Sequence, residues 1–76
     1  MKKVVNSNAS VYEIVRTYPE IVPLLGQLGL QRLLSYDELN SEGRTTTIPD
    51  VAVKDNLDIE TIKRTLFDNN YDFGPK

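Results

Sequence analysis

Between Pro19 and Leu30 the chain reads PEIVPLLGQLGL, with two prolines and two glycines in twelve residues whose apolar members still recur at helical spacing. Pro19 disfavours helical geometry at Tyr18, so a helix arriving from the N-terminal side must end or bend there. Pro19 itself suits the first turn of a new helix, where its missing N–H has no partner to lose. Pro23 would forfeit a hydrogen bond to the Pro19 carbonyl. Either the second helix begins near Pro23 or its first turn is distorted. At the other end, Leu28-Gly-Leu30 reads as a helix stop. Gly29 takes the left-handed position past the last turn, and Leu30 folds back onto Leu25 as in a Schellman cap. Gly26 weakens a helix by up to about 1 kcal/mol relative to alanine. It marks either a close neighbour that excludes a side chain or a glycine that is merely tolerated.

Around this segment the chain supplies further start and stop signals. Ser10-Val-Tyr-Glu13 is a capping box, with Ser10 accepting from the Glu13 amide and Glu13 reaching back, and Val11, Ile14, Val15 and Tyr18 follow on one helical face. Leu30, Leu33 and Leu34 make a short third helical piece, and SYDELNSEG reads as a polar turn ending at Gly43. Thr47 caps a fourth helix running to about Asp55, with Pro49 and Asp50 in its first turn. Asn56 suits a left-handed cap. Asp58 caps a fifth helix with Ile59, Ile62, Leu66 and Phe67 on one face, and Asn70 closes it with Tyr71 packing back on Leu66. KKVVN has the composition of a short strand, for which RTTT is the candidate partner, and DFGPK reads as a frayed tail.

Periodicity and caps together predict an all-α fold class. We expect a compact single-domain bundle of about five short helices, with room for a short N-terminal strand. The single domain, 1–76, divides into an N-terminal arm (1–8), a helical core (9–70) and a C-terminal tail (71–76). The expected core is Val11, Ile14, Val15, Ile21, Leu25, Leu28, Leu33, Ile59, Ile62 and Leu66.

Composition limits the chemistry. A chain of 76 residues buries only about 60–65% of its unfolded surface. At 39% hydrophobic and 26% charged it is nevertheless an ordinary soluble domain with a packed core. Cysteine is absent, so no disulfide or thiolate site is available, and histidine is absent, which removes the commonest general base and metal ligand. We expect no catalysis and no cofactor. No apolar run approaches the roughly 18 residues a membrane helix needs, so no membrane partner is expected and the cytoplasm is the expected location. Asn8-Ala-Ser10 fits a glycosylation acceptor without a secretory signal, and Asp72-Phe-Gly74 copies a kinase triplet without a kinase around it. Asp37, Glu38, Asn40 and Glu42 have calcium-loop composition without its alternating spacing, and read as a solvated turn.

Two surfaces remain. Arg44, Thr46 and Thr47 bring a guanidinium, hydroxyls and free amides to a helix N-terminus, an arrangement that binds anions. Asp50 in the same turn opposes this, and a cap beside a solvated arginine is the simpler reading. Residues 47–69 are patterned as a helix-turn-helix, the runner-up reading for function as a DNA-binding module. There Lys54, Lys63 and Arg64 are outnumbered by Asp50, Asp55, Asp58, Glu60 and Asp68, and the chain is at −2 overall, so nucleic acid is disfavoured.

SVYEIVRTYPEIVPLLGQLGLQRLL and GRTTTIPDVAVKDNLDIETIKRTL together span most of Ala9 to Asn70. With their YPE step, LG turn and LD between the closing helices, they resemble the small helical family known as domain of unknown function 1858. The resemblance implies a compact bundle of about five short helices and an accessory role. Many of that family carry a cysteine pair just after the LG turn and are described as redox-disulfide domains associated with hybrid-cluster proteins; others are fused to hemerythrin-like or sensory domains. Here Gln31 to Ser35 hold no cysteine, so the redox role does not carry over. The turn that displays the pair in those relatives here displays Gln31 and Arg32, flanked by Leu30 and Leu34, and these four residues are the candidate partner surface. The alternative places both leucines in the core and both polar residues in solvent. The functional expectation is a non-catalytic accessory domain that binds a protein partner or small ligand.

Overall fold

The conflict between Pro19 and Pro23 is resolved by a change of helix type. In the computed structural model, which describes Lys2 to Gly74, helix α1 (Val11–Thr17) stops before Pro19, and a single 3-10 turn, Pro19–Ile21, follows. The Val22 N–H donates to the Pro19 carbonyl, so that acceptor is served one residue before the Pro23 nitrogen, which has no hydrogen to give. Helix α2 (Val22–Leu25) then starts with Pro23 in its first turn. It runs into a wide π-type turn, Gly26–Leu30, in which Gly29 is left-handed at φ 102° as the Leu-Gly-Leu pattern predicts. A second 3-10 turn, Gln31–Leu34, completes the segment.

Ser10 caps α1 by accepting from the Glu13 N–H at 3.1 Å, but only this half of the expected box forms. The chain before α1 is held instead by RTTT: Val11 N–H donates to the Thr46 carbonyl at 2.8 Å, and Ser10 forms an isolated antiparallel bridge with Thr47. RTTT is therefore the partner of the α1 start and not of KKVVN.

SYDELNSEG is helical rather than a turn. Helix α3 (Tyr36–Asn40) is followed by a 3-10 turn, Glu42–Arg44. Its short polar sequence is closed by its own side chains, Asn40 Nδ2 donating to the Tyr36 carbonyl and Ser41 Oγ to that of Asp37, each at 2.8 Å. Helix α4 (Ile48–Lys54) opens with a complete capping box between Thr47 and Asp50, and α5 (Ile59–Asp68) is capped by Asp58, which accepts from the Glu60 N–H. Asn56 at φ 57° and Asn70 at φ 72° take the expected left-handed stops.

The fold is mostly helical, as expected, with five short helices and the short N-terminal strand, and the other end of the chain adds a second strand. Strand β1 (Lys3–Asn6) pairs in parallel with strand β2 (Tyr71–Gly74), in the register Lys3 to Tyr71 and Val5 to Phe73. Four residues of DFGPK and its neighbour therefore form a strand rather than a frayed tail; Pro75 and Lys76 lie outside the described residues. Tyr71 and Phe73 turn inward and Asp72 outward, a period-two pattern too short to stand out in the sequence. Parallel strands need a long crossover, and here all five helices lie in it.

Seven of the ten expected core residues are buried, while Val15, Leu28 and Ile59 pack partly buried against them. Val5, Leu30, Ile48, Val51, Ala52, Tyr71 and Phe73 complete the core. Phe67, expected on the inner face of α5, is instead 53% exposed, its ring 4.0 Å below the Lys2 ammonium. Tyr71 packs edge-on against Tyr18 with centroids 5.9 Å apart.

The two glycines of the turn have opposite surroundings. A Cβ on Gly26, which is right-handed, would stand 3.7 Å from Leu34 Cδ1, an ordinary contact. One on left-handed Gly29 would stand 3.0 Å from a Leu57 methyl. Gly29→Ala is expected to cost about 1 kcal/mol or more, and Gly26→Ala to gain up to about 1 kcal/mol. Urea unfolding midpoints at unchanged slope measure both, and shifts of the same sign would refute the assignment.

Candidate functional site

The structure divides the four candidate surface residues three ways. Leu30 follows left-handed Gly29 and is driven inward to 0% exposure, which removes it from any surface. The Arg32 guanidinium meets Glu42 at 2.9 Å and Asp55 at 3.3 Å. Lys54 joins Glu42 at 3.2 Å, so four charges tie the 3-10 turns on either side of α3 to the end of α4. Arg32 stays exposed in those ion pairs, while exposed Gln31 and half-buried Leu34 share a second surface.

That surface is an open groove of about 670 Å³ lined by Val22, Pro23, Gly26, Gln27, Gln31, Leu34 and Ser35. Its origin lies in the breaker-rich segment. Pro23 and Val22 come from the start of α2, and Gln31, Leu34 and Ser35 from the chain after the Gly29 reversal. Gly26 leaves the space over Leu34 without a side chain. The groove walls are mainly apolar, with two carboxamides and the Ser35 hydroxyl, and none of the seven lining residues is charged. Five of them escaped the sequence reading. The available signal was Gly26, an unfavourable helix residue whose missing side chain is the opening itself.

The other candidate sites are occupied by their own neighbours. Arg44 lies over the Tyr12 ring, 4.4 Å from its centroid. Thr47 Oγ1 accepts from the Asp50 N–H and the Thr47 N–H donates to Asp50 Oδ2, both at 3.2 Å. The Asp50 carboxylate thus holds the amide an anion would use, and the Thr46 carbonyl is bonded to Val11. On α5 the residues at the start of the helix are acidic: Asp58 caps it, and exposed Glu60 lies 3.8 Å from Lys63. Glu42, which calcium-loop composition had flagged, is an ion-pair acceptor, and among the described residues no cluster of three or more acids, histidines or cysteines is placed to hold a metal.

These contacts set the titration behaviour. The hydrogen bond from Arg32, and then that from Lys54, hold the Glu42 carboxyl below the ordinary carboxylate range. The Lys3 ammonium does the same to Glu20, and the Thr61 hydroxyl to Asp58. A carboxyl whose folded pKa is depressed stabilises the fold fully above its unfolded pKa and loses that contribution as pH falls through the folded value. The urea midpoint is therefore expected to be flat near neutrality and to fall below about pH 5. Glu42→Gln should make that fall shallower; an acid limb of unchanged steepness would show that the Arg32 contact contributes nothing.

No family model matches the chain, and comparison with curated proteins finds no match. Among solved structures, the crystal structure of a conserved domain protein from Streptococcus pneumoniae TIGR4 is similar at TM-score 0.92 and 25% identity, covering 100% of this chain and 96% of that one. The mostly helical fold with its tied ends is thus shared across nearly the whole of both chains.

Proposed function

We propose that this chain is a non-catalytic interaction domain of the cytoplasm that binds a protein partner through the groove between α2 and the Gln31–Leu34 turn. The observation that carries the reading is the groove's lining, apolar and free of charge in a chain of which 26% is charged. Depletion of charge with retention of apolar side chains is what distinguishes the centre of a protein contact from ordinary surface. The carboxamides of Gln27 and Gln31 supply donors and acceptors at its edge. Tyr36 begins α3 beside Ser35 and is 82% exposed, an aromatic of the kind that anchors contacts. The resemblance to domain of unknown function 1858 supports the same accessory role. In that family the segment after the LG turn displays the reactive pair, and here the same segment supplies Gln31, Leu34 and Ser35.

The helix-turn-helix reading rests on α4 and α5 and is opposed by charge. Asp58 and Glu60 occupy the start of the helix that would face DNA, and a phosphate backbone repels both. No helix among the described residues is long and apolar enough to cross a membrane.

Gly26→Leu tests the proposal because it fills the groove at a right-handed position whose nearest neighbour is a flexible leucine methyl. Tagged wild type and Gly26→Leu, matched in melting temperature, are used to capture proteins from a lysate of the source cells. The expected outcome is a partner held by wild type and depleted by the variant. Equal recovery of the same proteins by both would place the binding surface elsewhere, and a salt-sensitive gel shift with duplex DNA would revive the α4–α5 reading.

A further inference from the structure

The groove is neutral, but its rim is not. Helix α3 starts at Tyr36, next to the groove residue Ser35, and carries Asp37 and Glu38 in its first turn. Neither carboxylate has an ion-pair partner among the described residues, which is also true of Glu13, Asp50, Asp58, Asp68 and Asp72, but of these only Asp37 and Glu38 follow a groove residue closely in the chain. Two cations are committed to other acids, Arg32 to Glu42 and Asp55, and Lys3 to Glu20. An apolar trough with an aromatic and two uncompensated acids at one end is complementary to an apolar stripe that ends in positive charge.

The backbone limits the occupant further. The groove is walled by α2 and by helical turns, so it has no strand edge to pair with an extended peptide. A segment entering such a trough must satisfy its own N–H and C=O groups, which a helix does and an extended chain does not. From these two observations we infer that the groove receives a basic amphipathic helix of a protein partner. The helix's apolar face lies over Gly26 and Leu34, and its lysines or arginines reach Asp37, Glu38 and the Tyr36 ring. The inference rests on the interaction reading above and adds the chemistry of the partner.

Two labelled peptides test it, each of about 18 residues or five helical turns: one an amphipathic Leu/Lys sequence, the other the same sequence with Glu for Lys. Binding is followed by fluorescence anisotropy at low and high salt. Wild type is expected to bind the Leu/Lys peptide about tenfold more tightly than the Leu/Glu peptide, the scale of two exposed ion pairs, and salt should narrow the gap. Asp37→Lys/Glu38→Lys should reverse the preference. Asp68→Lys/Asp72→Lys, with the same change in net charge on α5 and β2, should leave it in place. Gly26→Leu should weaken both peptides. Equal loss of preference in the two charge variants would mean that net charge alone attracts the peptide and would overturn the inference. Equal binding of both peptides, weakened by Gly26→Leu, would leave the groove as an interaction site and overturn the basic partner. Binding indifferent to Gly26→Leu would overturn the groove reading as well, and no binding of either peptide would overturn the inference outright.

Discussion

The fold turns on a glycine pressed against a leucine from the far half of the chain. Gly29 is left-handed at φ 102°, and two Leu57 methyls stand 3.0 and 3.3 Å from where its Cβ would be. Leu57 belongs to the α4–α5 turn and is itself fixed there, its N–H donating to the Ala52 carbonyl at 2.7 Å after left-handed Asn56. Two chain reversals therefore meet at a point where a Cβ would crowd the Leu57 methyls. From that meeting the orientation of the next five residues follows. Leu30 and Leu33 enter the core, Arg32 reaches Glu42 and Asp55, and Gln31 and Leu34 face the groove.

The chain ends supply a second constraint. A two-stranded sheet is marginal by itself. This one is held because Val5, Tyr71 and Phe73 turn into the same core that the helices line, and because Glu20 beside α2 accepts from both Lys3 and the Tyr71 hydroxyl. Burial and the Glu20 charge in turn raise the pKa of that tyrosine. The parallel pairing closes the molecule, so that the groove-bearing segment lies within a crossover anchored at both ends.

The features legible in the sequence were those written in single residues with strict conformational needs. Gly29, Asn56 and Asn70 announced left-handed stops, Thr47 and Asp58 announced caps, and the 3.6-residue period of α1 and α5 announced their own buried residues, Val11, Ile14, Ile62 and Leu66. Features that depend on distant partners were illegible. Nothing local distinguishes Tyr71 and Phe73 as a strand from a tail, since the pairing strand lies at the other end of the chain. Nothing local shows that Arg32 is consumed by Glu42 and Asp55, or that Leu30 goes inward while Leu34 stops halfway. The polar helix α3 was missed because its closure comes from Asn40 and Ser41 side chains rather than from apolar periodicity. Of the four candidate surface residues, Gln31 and Leu34 line the groove, while Leu30 is buried and Arg32 pairs with Glu42 and Asp55.

The Gly29–Leu57 contact is therefore the link between the two halves of the crossover, and through it the determinant of which side chains the groove presents. A double-mutant cycle measures that link directly. The stabilities of Gly29→Ala, Leu57→Ala and the double variant are compared with wild type by urea unfolding. If the alanine methyl at position 29 is resisted by Leu57 as well as by backbone geometry, removing Leu57 relieves part of its cost, and a coupling of about 0.5 kcal/mol or more is expected. Additivity within about 0.3 kcal/mol would contradict the account, leaving Gly29 as a local cap with no hold on the distant turn.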